Sequence, residues 1–82
     1  MIEKVKELVS PLIEKDGYIM YSVVYEKEGS VNFLRIVIDR DEVISLNDVV
    51  MLTRKINPVL DKADLIDEEY VLDVYAKPKG DV

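Results

Sequence analysis

The stretch that most limits how this chain can fold is residues 32–60, where an alternating strand pattern passes through an acidic turn into a capped helical one. In Asn32-Phe33-Leu34-Arg35-Ile36-Val37-Ile38-Asp39, the residues Leu34, Ile36 and Ile38 fall on one face and Arg35 and Asp39 on the other, the period of a half-buried strand. Arg40-Asp41-Glu42-Val43-Ile44 makes the turn. Ser45 then offers its hydroxyl to an orphaned backbone N–H one turn into a helix. Asp48 completes a capping box imperfectly, because its arm is shorter than that of Glu, but its charge suits the positive end of the helix. Leu46, Val49, Val50, Thr53, Ile56 and Leu60 follow at helical spacing and predict one apolar stripe.

The rest of the chain supplies layers for that unit to pack against. Ile2, Val5, Leu8, Val9, Leu12 and Ile13 predict a first helix ending near Asp16, because Gly17 can take the left-handed conformation that closes a helix. Pro11 lies inside it, and Val9-Ser10-Pro11-Leu12-Ile13-Glu14-Lys15 matches Ile56-Asn57-Pro58-Val59-Leu60-Asp61-Lys62 class by class. Both read as helices bent or restarted at proline. Residues 18–25 read as a strand joined to the next by a Glu28-Gly29-Ser30 turn. Pairing Tyr25 with Asn32 sets Ile19, Tyr21 and Val23 on the core face and leaves Ser22, Val24, Phe33, Arg35 and Val37 on the other. After an acidic, irregular segment, residues 70–76 form a last strand with Leu72 and Val74 inward. The order α-β-β-α-β predicts an α+β two-layer sandwich, two helices on one face of a small three-stranded sheet. Residues 1–76 form the domain, and residues 77–82 read as a linker or tail.

Composition narrows the function. The chain of 82 residues has neither Cys nor His and a formal net charge of −6. It therefore has no thiol or imidazole chemistry, and no Lys/Arg cluster of the kind that draws nucleic acid through counterion release. Its three glycines are scattered, so no phosphate-cradling loop is present. Asp39-Arg40-Asp41 begins like a calcium loop, but Ile44 stands where the turn needs Gly and Val50 where the bidentate Glu belongs. Paired carboxylates across a cleft are not evident. These observations point to no catalytic residues, no metal ligands and no cofactor. The helix–sheet order loosely resembles KH-type RNA binders but lacks their Gly-x-x-Gly clamp. No apolar run approaches the roughly 20 residues needed to span a bilayer, and a soluble, cytoplasmic protein is expected.

Leu34-Arg35-Ile36-Val37-Ile38-Asp39, then Ile44-Ser45-Leu46-Asn47-Asp48, then Thr53-Arg54-Lys55-Ile56-Asn57-Pro58-Val59-Leu60-Asp61, then Tyr70-Val71-Leu72-Asp73-Val74, together resemble the N-terminal domain of the ribosome maturation factor RimP family. Pro11-Leu12-Ile13-Glu14 and Gly17-Tyr18 fit the family's first helix and strand. The resemblance implies a non-enzymatic assembly factor that associates with the immature small ribosomal subunit. It also implies a second small β-barrel domain after a Ser-Pro-Gly segment; here Ala76-Lys77-Pro78-Lys79-Gly80 stands instead, so a shortened or divergent single-domain relative is expected. The chain further departs from the family in Arg40-Asp41-Glu42-Val43, which lacks a turn glycine, and in Val49, where cysteine is common.

On that resemblance the expected partner is a basic small-subunit ribosomal protein, with no strong direct nucleic-acid binding and no membrane. Asp39, Asp41, Asp48, Asp61 and Asp64 flank the two ends of the second helix and are the candidate protein-binding residues, forming one negative patch with the outer sheet face beside it. Arg54 joins them as a candidate contact, although the plainer reading of Arg54 and Lys55 is a solvated face. The alternative is a small acidic protein-interaction module of the same fold without a ribosomal partner. Tyr18, Tyr21, Tyr25, Tyr70 and Tyr75 read as sheet packing with wet hydroxyls.

Overall fold

In the computed structural model, which describes residues 1–78, the order is α1 (Ile2–Lys15), β1 (Ile19–Glu28), β2 (Val31–Asp39), α2 (Leu46–Ala63) and β3 (Val71–Ala76). This is the expected α+β fold of two helices and one sheet. Strand β2 lies at the centre, antiparallel to β1 and parallel to β3. The parallel pairing follows from α2, which carries the chain back across the sheet between them.

The helix ends form for local reasons. At the end of α1 the Gly17 N–H donates to the Glu14 carbonyl (3.0 Å) and the Tyr18 N–H to the Ile13 carbonyl (3.2 Å), with Gly17 at φ +91°, a Schellman closure. Both halves of the Ser45–Asp48 capping box are present at the start of α2. Its far end is closed by Asp64 at φ +51°, a left-handed conformation that Asp tolerates. Neither helix restarts at proline: each is one segment running through Pro11 or Pro58. The matched seven-residue sequences do share a role, placing Val9 and Ile13 of α1 and Ile56 and Leu60 of α2 in the core.

The buried stripe of α2 differs from the expected one. Leu46 is 79% exposed and Val50 39%, whereas Leu52, outside the expected stripe, is fully buried with Ile56, and Leu60 is buried beside them. At 3.6 residues per turn Leu52 lies about 40° from Ile56 around the helix, while Val50 lies about 120° away. Two apolar rows were available, and the one centred on Ile56 meets the sheet.

The β1–β2 register also differs. Tyr25 pairs with Leu34, and Asn32 with Lys27, so the hairpin closes with a two-residue Gly29-Ser30 loop whose first position has φ +63°. A shift of two keeps the faces, and Val23 is inward as expected. A bulge between Met20 and Ser22 then reverses them: Tyr18 and Met20 pack inward, and Ile19 and Tyr21 are 56% and 57% exposed. The inward face of β2, with Leu34, Ile36 and Ile38 fully buried, completes the core, and Leu72 and Val74 of β3 pack with it as expected. In the segment read as a linker, the Lys77 N–H still donates to the Ile38 carbonyl (2.7 Å); residues 79–82 of that segment lie outside the described residues.

Candidate functional site

At the start of α2 the Asp48 carboxylate gathers the chain. It accepts the Tyr18 hydroxyl (2.5 Å), the Ser45 N–H (2.7 Å), the Ser45 hydroxyl (2.9 Å) and the Arg40 guanidinium (3.0 Å). Arg40 also stacks over the Tyr18 ring, 4.5 Å from its centroid, and donates to the Val43 carbonyl (2.7 Å). Tyr18 is 4% exposed, so its hydroxyl is not wet; it is a buried donor with a charged partner. That hydrogen bond, followed by those from Ser45, holds the Asp48 carboxyl at about 2, against an ordinary 3.8. Burial, reinforced by the donation to Asp48, pushes the Tyr18 phenol up.

A folded-state value below the unfolded one gives stability that is complete above the unfolded value and lost as pH falls through the folded one. For Asp48 the loss runs from about pH 4 down to about pH 2. Urea midpoints of the unaltered chain should therefore slope downward across that window, and Asp48→Asn should flatten the slope while lowering the plateau above it. Glu28, also held low by Arg35, adds to the slope in the same direction. An unchanged slope in Asp48→Asn would show that Asp48 is not the group responsible.

The structure divides the other candidate residues. Asp39 ends β2, where its carboxylate accepts the Arg40 N–H (2.8 Å), and Asp41 is exposed in the following turn. Asp61 and Asp64 lie at the opposite end of α2, about 20 Å from Asp48 at 1.5 Å per residue. One continuous patch is therefore not formed. Asp61 instead faces a shallow groove of about 440 Å³ that it shares with Asn57, Glu68, Glu69, Tyr70 and Leu72. Exposed Arg54 lies between the two ends, on an open depression of about 570 Å³ lined also by Asp48, Val50 and Met51. Lys55 is not simply solvated: its ammonium bonds the Asp16 carboxylate (2.6 Å) and ties α2 to the end of α1.

Sequence reading missed the most concentrated charge cluster, on the sheet face away from the helices. There the Arg35 guanidinium meets Glu26 (2.6 Å), Glu28 (2.8 Å) and Asp73 (3.2 Å), and lies over the Phe33 ring at 4.4 Å. These carboxylates raise the arginine further above its ordinary range. The signal was the outward alternation of all four residues; the strand register that joins them was not readable. Among the described residues no group of His, Cys, Asp and Glu is placed to hold a metal ion, and no helix is long and apolar enough to cross a membrane.

Fold and composition thus define an acidic two-layer α+β domain. Residues 8–76 match the family model of the RimP N-terminal domain, and the chain belongs to that family. The family is one of ribosome maturation factors, non-enzymatic in their action, and this chain is a ribosome maturation factor domain. Among solved structures the chain is similar to MamM CTD variants. A copper form and a cadmium form each give a TM-score of 0.46 at 15% identity over 98% of this chain and 100% of theirs. A second cadmium form gives 0.45 at 17% identity over 95% and 96%.

Proposed function

We propose that this domain acts in the cytoplasm by binding the immature small ribosomal subunit through a basic ribosomal protein, with no chemistry of its own. The observation that carries the reading is the family match over residues 8–76. Charge supports the choice of partner: 17 acidic against 11 basic residues give a field that attracts cationic protein and repels phosphate. In this reading Asp39, Asp41 and Asp48 at one end of α2 and Asp61 and Asp64 at the other, with Arg54 between, steer approach. Asp41, Asp61 and Asp64 are exposed, and exposed charges act chiefly on association rate and its salt dependence, while Asp39 and Asp48 are half-buried and add to the field from behind them.

The test is an amide NMR titration of the labelled domain at physiological salt, with purified small-subunit ribosomal proteins one at a time and with a small-subunit RNA fragment. Saturable shifts with one basic protein and none with RNA are expected. Silence with every protein, or saturation with RNA alone, would overturn the reading.

A further inference from the structure

We infer that the sheet face opposite the helices is the docking surface, and that it takes a basic protein segment presenting Lys or Arg beside apolar side chains. In naming its partner this rests on the ribosomal reading above. Helices α1 and α2 cover one face of the sheet, and the ladder shows what the other presents. Across it lie the rows Glu26–Phe33–Val71, Val24–Arg35–Asp73 and Ser22–Val37–Tyr75. Val24, Val71 and Tyr75 are 39%, 47% and 39% exposed. Beyond them, past the bulge, is Tyr21, with the Lys77 ammonium 5.0 Å from its ring centroid. On this one face exposed apolar side chains flank a charged centre, and apolar area edged by charge is what an interaction site presents.

Charge selects the occupant. One guanidinium faces three carboxylates, a local surplus of two negative charges in the middle of the apolar rows. The Arg35 side chain is only 18% exposed, whereas those of Glu26, Glu28 and Asp73 are 48%, 60% and 42% exposed, so the surplus faces outward from a fixed centre. The Arg35 contacts hold Glu28 below the usual carboxylate range, and it stays ionised at neutral pH. A cation from a partner completes the cluster, and apolar side chains around that cation cover Val24, Val71 and Tyr75. A second copy of this chain would bring the same negative surplus against itself, and RNA would bring phosphate. Both are the wrong sign.

The test is calorimetric titration of the domain with each purified basic small-subunit ribosomal protein. The unaltered chain is compared with Val24→Lys/Tyr75→Lys, which repels a cationic segment, with Glu26→Gln/Asp73→Asn, which removes the surplus, and with Glu7→Gln/Glu14→Gln. This last pair makes the same charge change on the exposed side of α1. Each sheet-face pair should weaken binding tenfold or more, and the α1 pair should stay within about twofold. Amide spectra report whether each variant folds. If Val24→Lys/Tyr75→Lys does not, Val71→Lys at the exposed start of β3 carries the same expectation. Equal affinity in all variants would overturn the docking surface and leave the ribosomal reading standing. So would concentration-dependent dimerisation that Val71→Lys abolishes, since the occupant would then be a second copy. Absence of binding by the unaltered chain would overturn both.

Discussion

Replacing Ile36 by Ala should lower the unfolding free energy by about 3–4 kcal/mol, toward the upper part of the range for deleting a buried branched side chain. Ile36 is fully buried at the middle of the central strand, paired with Val23 on one side and Val74 on the other, under the core residues of α1 and α2. Neighbours held by two ladders do not collapse into the space left, so the cavity penalty adds to the lost transfer energy. A domain of this length has roughly 4–12 kcal/mol to lose, so the substitution removes between about a quarter and all of its stability. The comparison is Val37→Ala, one residue along on the open face. Val37 is 6% exposed but lies under no helix, and its loss should cost about 1–2 kcal/mol. Urea titrations of the two variants decide the matter. Equal losses would mean that the helices do not cover the Ile36 face.

The second large effect is expected at Tyr18. Its ring is in the core and its hydroxyl donates to Asp48, 30 residues away, so one side chain joins the start of β1 to the cap of α2. Tyr18→Phe keeps the ring and removes a hydrogen bond to a charged acceptor, a loss of about 1.5–3 kcal/mol. Tyr18→Ala removes the ring as well and should approach about 4 kcal/mol. Because the Tyr18 hydroxyl is the leading cause of the low Asp48 value, Tyr18→Phe should also move the acid transition of Asp48 up toward 3.8. A double-mutant cycle with Asp48→Asn should show strong coupling between the two positions. Additive losses, with the acid transition unmoved, would place the Tyr18 contribution in packing alone.

What could be read from sequence was what local chemistry determines. The period of two in β2, the Ser45–Asp48 cap and Gly17 at the end of α1 each specify structure within a few residues, and the α-β-β-α-β order follows from them. The errors share a cause, a choice made by distant partners. Residues 46–60 carry two apolar rows, and only the sheet decides that Leu52 is buried and Leu46 is not. One bulged residue near Tyr21 reverses the faces of Ile19 and Met20, and no residue type in that run marks it. Both long-range clusters were hidden for the same reason. Tyr18 and Asp48 are brought together by the fold, and Arg35 gathers Glu26, Glu28 and Asp73 only in the observed register. Asp48 and Asp64 drew notice as candidate contacts, and both prove to terminate α2, one by capping its start and the other by taking the left-handed conformation at its end.

If this acidic domain binds a maturing small ribosomal subunit, as proposed, it should travel with that particle. Gradient co-sedimentation at physiological salt, with immature and mature small subunits in parallel, tests it most directly. The chain should migrate with immature particles and stay at the top of the gradient with mature ones. A chain that stays at the top with both would contradict it.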